Sequence, residues 1–98
     1  MKRALITCVA AVCCIASTEA GWAACYADYK AKQENPLRLH YGVVQIDVTP
    51  CAMSAAVEDM VKRRVAAGGW TMLQIESVFG DDGLAGRKND AGEYFLRF

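Results

Sequence analysis

The stretch TPCAMSAAVEDMVKRRVAAGGWTMLQIESVF, residues 49–79, decides the fold because it predicts an amphipathic helix followed directly by a strand. Thr49 suits the N-cap and Pro50 the first helical position, while Gly68 and Gly69 suit the end of the helix. Between these signals one apolar stripe at helical spacing comprises Met53, Val57, Met60, Val61 and Val65. Such a stripe indicates a helix that packs on a neighbouring layer.

Residues 70–79 alternate as a strand does. One side of this predicted strand carries Leu73, Ile75 and Phe79, and the other carries Met72, Gln74 and Glu76. We expect the first side to face the core. The second side, together with Phe95, then forms a candidate interaction surface made of Met72, Gln74, Glu76 and Phe95.

Residues 37–48 predict a further strand whose apolar side chains change phase partway. They occupy odd positions up to Val43 and even positions from Val44, so we expect a bulge or bend at Gly42. His40, the only histidine, lies on this strand. A zinc or copper site would need further histidine or cysteine partners, so we expect a partly buried or edge side chain.

The last residues, EYFLRF, predict a closing strand that pairs with residues 70–79. The turn-rich segment 80–92 would connect the two, with Leu84 as its apolar anchor. An alternative follows from the dibasic Arg87-Lys88, because with the FLRF ending it resembles a precursor that releases a C-terminal peptide. The strand is favoured, since residues 70–79 otherwise lack an antiparallel mate.

Residues 24–36 predict a short helix and a linker, with Tyr26 and Tyr29 on one face and Asn35-Pro36 at the end. The predicted fold is therefore α+β. A β-α-β-β domain over residues 37–98, with a three-stranded sheet and one helix packed on a face, follows this N-terminal helix.

The N-terminus predicts a secretory signal peptide over residues 1–23. Positive charges at Lys2 and Arg3 precede an uncharged apolar run, and small residues suit cleavage near Ala20 or Ala23. The run is short for a membrane span, so no transmembrane segment is expected after cleavage. We expect a periplasmic or secreted protein, and lipid anchoring at Cys25 is the alternative.

Cleavage would leave two cysteines, Cys25 and Cys51, in a compartment that oxidises thiols. We therefore predict a disulfide between them. The alternative is a small envelope enzyme in which Cys51 is a reactive thiolate, but no Cys-x-x-Cys motif supports it.

The composition excludes several function classes. Removing Lys2, Arg3 and Glu19 leaves nine Lys and Arg against ten Asp and Glu, which argues against nucleic acid or an anionic membrane as partner. No phosphate-binding motif, catalytic arrangement or metal-ligand spacing is present in the sequence. We therefore predict no catalytic, cofactor-binding or metal site.

Three short segments carry a resemblance to a bacterial family. These segments are YGVVQI at residues 41–46, Gly69-Trp70, and YFLR at residues 94–97. Together they resemble the small bacterial domain of unknown function 4177. The segment CYADYKAKQENPLRLHYGV, residues 25–43, also resembles that of uncharacterised exported proteins of Gram-negative bacteria. The resemblance implies a small βαββ domain and carries no activity.

These observations predict an exported, non-catalytic binding or structural module of the cell envelope. The expected partner is an envelope protein, a peptide or a cell-wall component. A homodimer formed by pairing of strand edges is a further possibility for such a sheet.

Overall fold

The computed structural model describes residues 24–98, so the predicted signal peptide at residues 1–23 lies outside the described residues. Three strands and one long helix form the domain. They are β1 Cys25–Gln33, β2 Arg38–Ile46, α1 Ala55–Ala67 and β3 Thr71–Phe79. Residues 80–98, which we call the strap, contain short 3-10 turns and the four-residue helix α2 Lys88–Ala91.

The strands form one antiparallel sheet in the order β2-β1-β3. β1 pairs with β2 from Cys25↔Ile46 to Gln33↔Arg38 without a register shift. The predicted bulge at Gly42 is therefore wrong. The phase change in β2 arises because both faces of the sheet are partly covered, so Val43 and Val44 are both buried on opposite sides.

The N-terminal segment is the central strand rather than the predicted short helix and linker over residues 24–36. Its alternate side chains serve two layers, since Ala27 and Tyr29 belong to one apolar cluster and Tyr26 to the other. Local helix propensity is weak compared with the pairing of a strand on both of its edges. The element order is consequently ββαβ.

Helix α1 covers one face of the sheet, the helix face. Its buried stripe is Val57, Val61 and Val65, as the spacing predicts. The helix begins later than expected, because the side chain of Ser54 rather than Thr49 caps it and accepts a hydrogen bond from the Val57 amide at 3.2 Å. Met53 consequently lies before the helix and is exposed.

Strand β3 does not alternate as predicted, because its pairing with β1 shifts register twice. Ser77 pairs with Asp28 and Ile75 with Tyr29, so Glu76 is an extra residue, and Leu73 is extra in the same way. Bulges of this kind reverse the side that the following residues face. Leu73 is exposed as a result, whereas Met72 packs against the helix-face core.

The strap crosses the opposite face, the strap face, and the predicted closing strand at EYFLRF is absent from it. Gly92–Tyr94 form a 3-10 turn, and Phe95 makes only an isolated parallel bridge with Val43 of β2. Leu96 has φ 58°, a left-handed conformation that interrupts extended pairing. Leu84 does anchor the strap, as predicted, by packing with Tyr26 and Val43.

The predicted fold class is confirmed at the level of an α+β domain with a three-stranded antiparallel sheet and one packed helix. What differs is which segments supply the strands. Residues 25–33 form a strand and EYFLRF does not, and these two differences have one cause. β1 lies between β2 and β3 and takes the place beside β3 that the sequence pattern gives to EYFLRF.

Gly42 tests the packing of the helix face. A Cβ at this position would overlap the phenol ring of Tyr29, the residue paired with Gly42 across the sheet. We expect Gly42→Ala to lower the free energy of unfolding by about 1–3 kcal/mol, the usual effect of overpacking. Gly86→Ala is the matched control, because nothing lies within 4 Å of its Cβ position. Urea unfolding of both variants checks this, and equal stabilities would contradict it.

Candidate functional site

A buried carboxylate lies on the strap face. Asp28 of β1 is only 5% exposed and accepts hydrogen bonds from three side chains: Tyr41 Oη at 2.7 Å, Ser77 Oγ at 2.6 Å and Arg87 Nε at 3.0 Å. Strands β2 and β3 supply the first two donors and the strap supplies the third. A buried charge is tolerated when it is paired and hydrogen-bonded in this way.

These partners set the ionisation of the cluster. Burial by itself would raise the pKa of Asp28, but the hydrogen bonds from Ser77, Tyr41 and Arg87 and the positive charge of Arg87 outweigh it and lower the pKa below its usual value. Burial and the Asp28 hydrogen bond raise the pKa of Tyr41. Asp28 is therefore ionised and Tyr41 neutral at neutral pH.

Arg87 is held from several sides. Its guanidinium also donates to the main-chain oxygen of Gly83 at 2.6 Å and lies 4.0 Å from the centre of the Phe79 ring. A guanidinium can form a planar hydrogen-bonded fork and stack on an aromatic ring at the same time. Arg87 consequently fixes the strap over β1 and β3.

The end of the strap passes around the outer edge of β2. The Leu96 amide donates to the Val43 oxygen at 2.8 Å, and Arg64 of α1 donates to the Phe98 oxygen at 2.7 and 3.2 Å. Gly68, just after α1, is where the Phe98 ring packs, since a Cβ there would overlap it. Arg64 thus ties the helix to the strap, a role that the sequence pattern did not indicate.

An aromatic cluster surrounds His40 on the helix-face side. The imidazole stacks on Tyr94 at 3.7 Å, meets Trp70 edge-on at 4.2 Å, and shares a hydrogen bond of 2.8 Å with the Tyr29 hydroxyl. Burial lowers the pKa of His40, with Glu93 opposing and Arg97 assisting, and burial raises the pKa of Tyr29 to about 12. His40 is therefore a neutral, half-buried member of the core, in line with the prediction.

Within residues 24–98, no other segment covers the rest of the strap face. The strap lies over the half of the sheet that contains Asp28 and leaves the half nearest the β1–β2 turn exposed. We call this uncovered half the open face, and its residues are Lys30, Lys32, Leu39, Tyr41, Leu73 and Gln74. Leu39 is 66% exposed and Leu73 is 50% exposed. A cleft of about 310 Å³ lies between them, lined also by Lys30, Ala31, His40 and Tyr41.

The structure separates the four residues of the sequence-predicted interaction surface. Gln74 and Glu76 are exposed on β3, where Gln74 Nε2 donates to the Glu76 carboxylate at 2.5 Å. Met72 lies on the helix face, and Phe95 is a half-buried residue of the strap itself that packs on the cluster of Tyr26 and Val43. Of these four only Gln74 belongs to the open face, with Glu76 beside it. Lys30, Leu39, Tyr41 and Leu73 were not predicted, since strand pairing and the two bulges bring them together.

The predicted disulfide is present. Cys25 and Cys51 are bonded with their Cα atoms 5.6 Å apart. The bond joins the first residue of the central strand to the exposed loop that leads into α1. It therefore fixes this loop to the sheet core.

Two further observations concern residues 24–98. Within this range no three His, Cys, Asp or Glu side chains lie together as a metal site. Its helices also lack the length and apolar character that crossing a membrane requires.

No protein-family model, curated protein or solved structure matches this chain. The resemblance to the domain of unknown function 4177 stays a prediction. Its three segments do meet in the fold: Trp70 and Tyr94 rings are 5.5 Å apart, and Phe95 bridges Val43.

The Asp28–Arg87 pair gives a prediction about the strap. We expect Arg87→Gln to lower the free energy of unfolding by about 3 kcal/mol, because it leaves Asp28 buried with fewer partners. Trypsin should also cleave the wild-type protein slowly after Arg87. It should cleave the Asp28→Asn protein faster at this position, because Arg87 has then lost its ion pair and the strap is released. Lys88→Gln, an exposed neighbour, is the control for stability.

The same pair predicts a pH dependence. The lowered pKa of Asp28 means that the unfolded chain takes up a proton before the folded chain does as pH falls. The stability contributed by Asp28 should be fully present above about pH 4, the ordinary value for the group, and decline below it. Asp28→Asn should flatten this acid limb of a stability–pH curve. An unchanged limb would contradict the assignment.

The disulfide gives a further prediction. Cys25 and Cys51 are 26 residues apart, and closing a loop of this size stabilises by about 3 kcal/mol in the chain-entropy account. We expect dithiothreitol, or Cys51→Ser in oxidised protein, to lower the melting temperature. Dithiothreitol should leave the Cys51→Ser protein unaffected, and a wild-type melting temperature that ignores the reductant would contradict the prediction.

Proposed function

We propose that this chain is an exported, non-catalytic binding module of the cell envelope and that its open face is the contact surface. The observation that carries the proposal is the half-covered sheet: two leucines and a tyrosine line a cleft beside an exposed lysine. Exposed apolar side chains that cluster in this way are typical of interaction sites.

The chemistry of the other candidate groups supports binding over catalysis. Each polar side chain with a shifted pKa has a structural partner, since Asp28 pairs with Arg87 and His40 lies among aromatic rings. Cys51, the candidate nucleophile, is in a disulfide. An activated thiolate would need the sulfur unbonded, so the reactive-cysteine alternative is weakened.

The peptide-precursor alternative meets a steric objection. Cleavage after Arg87 or Lys88 requires a protease to take the segment into its site in an extended form. Arg87 is instead bound to Asp28, and Lys88 begins the short helix α2. The EYFLRF segment also packs its rings into both apolar clusters. Its removal would expose the β2 edge and the His40 cluster.

Export is proposed from the signal-like N-terminus together with the disulfide, since disulfides persist in oxidising compartments. The alternative of a lipid anchor at Cys25 is opposed by the same bond. A thioether to lipid would use the sulfur atom that binds Cys51. We therefore favour release into the periplasm or medium over anchoring.

A strand-edge homodimer is also opposed by specific contacts. The strap occupies the outer edge of β2 at Val43, and two bulges interrupt β3. Bulged or covered edges pair poorly with a second chain. The open face, rather than an edge, is the better candidate for contact.

Site-specific photo-crosslinking in intact cells tests the proposal. We expect benzoylphenylalanine at Leu39 or Leu73 to give discrete adducts, because these side chains are exposed within the open face. The matched control is the same group at Ala66, which is exposed on α1 on the other side of the sheet. Equal adducts from all three positions, or none from Leu39 and Leu73, would contradict the proposal.

A further inference from the structure

We propose that the open face binds a short amphipathic helix of a partner protein, one that presents a carboxylate among apolar side chains. This inference rests on the proposed function and names the chemistry of its partner. It follows from the apolar walls of the cleft, the state of its charged groups and the geometry of the strand edges.

The walls of the cleft set the size of the group that enters. Leu39 of β2 and Leu73 of β3 stand on either side of β1, and Lys30 of β1 lies between them. A volume of about 310 Å³ is near the lower limit of ligand clefts. It suits one or two protruding side chains rather than a large cofactor. Sheet faces of this kind are ordinarily covered by a helix, as α1 covers the other face.

The charged side chains of the open face favour a partner that carries an acidic group. Lys32 Nζ is already paired with Glu34 at 2.6 Å, and Gln74 holds Glu76. Lys30, by contrast, has no carboxylate within 4.0 Å among residues 24–98. An apolar partner that covers Lys30 removes water from its ammonium group, and this is unfavourable unless a carboxylate replaces the water. Lys30 therefore favours a partner with an acidic side chain at the centre of its contact.

The same charges disfavour two other occupants. In a symmetric dimer the same patch contacts itself, which brings Lys30 and Lys32 towards their own copies. An anionic membrane would meet Glu34 and Glu76 at the rim together with the lysines, and the mature chain is close to neutral. An acidic segment small enough to enter between the rim carboxylates avoids both difficulties.

Binding of model helices tests the inference. The probes are three capped, fluorescein-labelled 14-residue peptides with one leucine stripe and with Glu, Gln or Lys beside it, measured by fluorescence anisotropy. We expect the Glu peptide to bind about tenfold or more tightly than the Lys peptide, with the difference shrinking at high salt. Lys30→Gln should weaken the Glu peptide by about threefold to tenfold and should not weaken the Gln peptide, for which the cost of burying the ammonium group is removed.

The controls separate this inference from the proposed function. Lys88→Gln removes an exposed lysine outside the open face and should leave binding unchanged, and Leu73→Ser should weaken all three peptides. Equal binding of Glu and Lys peptides, no binding of any peptide, or tighter binding to phosphatidylglycerol vesicles than to the Glu peptide would overturn the inference. If crosslinking from Leu39 and Leu73 succeeds while the peptides fail, the open face is a contact surface whose partner has other chemistry.

Discussion

The buried carboxylate of Asp28 is the constraint on which the arrangement of the strap depends. It lies in the central strand and points away from the helix, where water is excluded. Strands β2 and β3 provide neutral hydroxyl donors, Tyr41 and Ser77, whereas the compensating charge among residues 24–98 comes from Arg87 of the strap. A buried charge without such a partner is strongly destabilising. The strap must therefore cross the sheet where Arg87 can reach Asp28.

This placement also explains why half of one face stays uncovered. A sheet has two faces, and residues 24–98 supply one long helix for the first and nineteen strap residues for the second. Once Arg87 is fixed over Asp28, the remaining strap residues turn around the β2 edge to reach Arg64. None continue towards Leu39 and Leu73. The open face is thus a consequence of where the ion pair lies, and the disulfide stabilises a core that is small for two faces.

Local sequence patterns predicted the parts of the fold that depend on the spacing of apolar residues along a helix or on the number of cysteines. The stripe at Val57, Val61 and Val65 predicts the helix, and two remaining cysteines predict the disulfide. The patterns did not predict β1, because Tyr26 and Tyr29 suit a helix or a strand and a central position is set by distant partners. The segment EYFLRF alternates like a strand. The rings of Tyr94 and Phe98, however, pack with the helix-face cluster, whereas the ring of Phe95 packs with the strap-face cluster. The open face was missed because two bulges create it and no local signal marks them.

Tyr41 connects the strap to the open face. Its hydroxyl donates to Asp28, while its ring lines the cleft beside Lys30. A helix that packs on this ring would hold the hydroxyl in place and so favour the state in which Asp28 and Arg87 are paired. Such coupling is reciprocal. When Arg87 of the strap is paired with Asp28, the Tyr41 hydroxyl is therefore held in the orientation that the partner contacts. The strap therefore acts on the proposed site only through Asp28, which accepts hydrogen bonds from both Arg87 and Tyr41, since no strap residue lines the cleft.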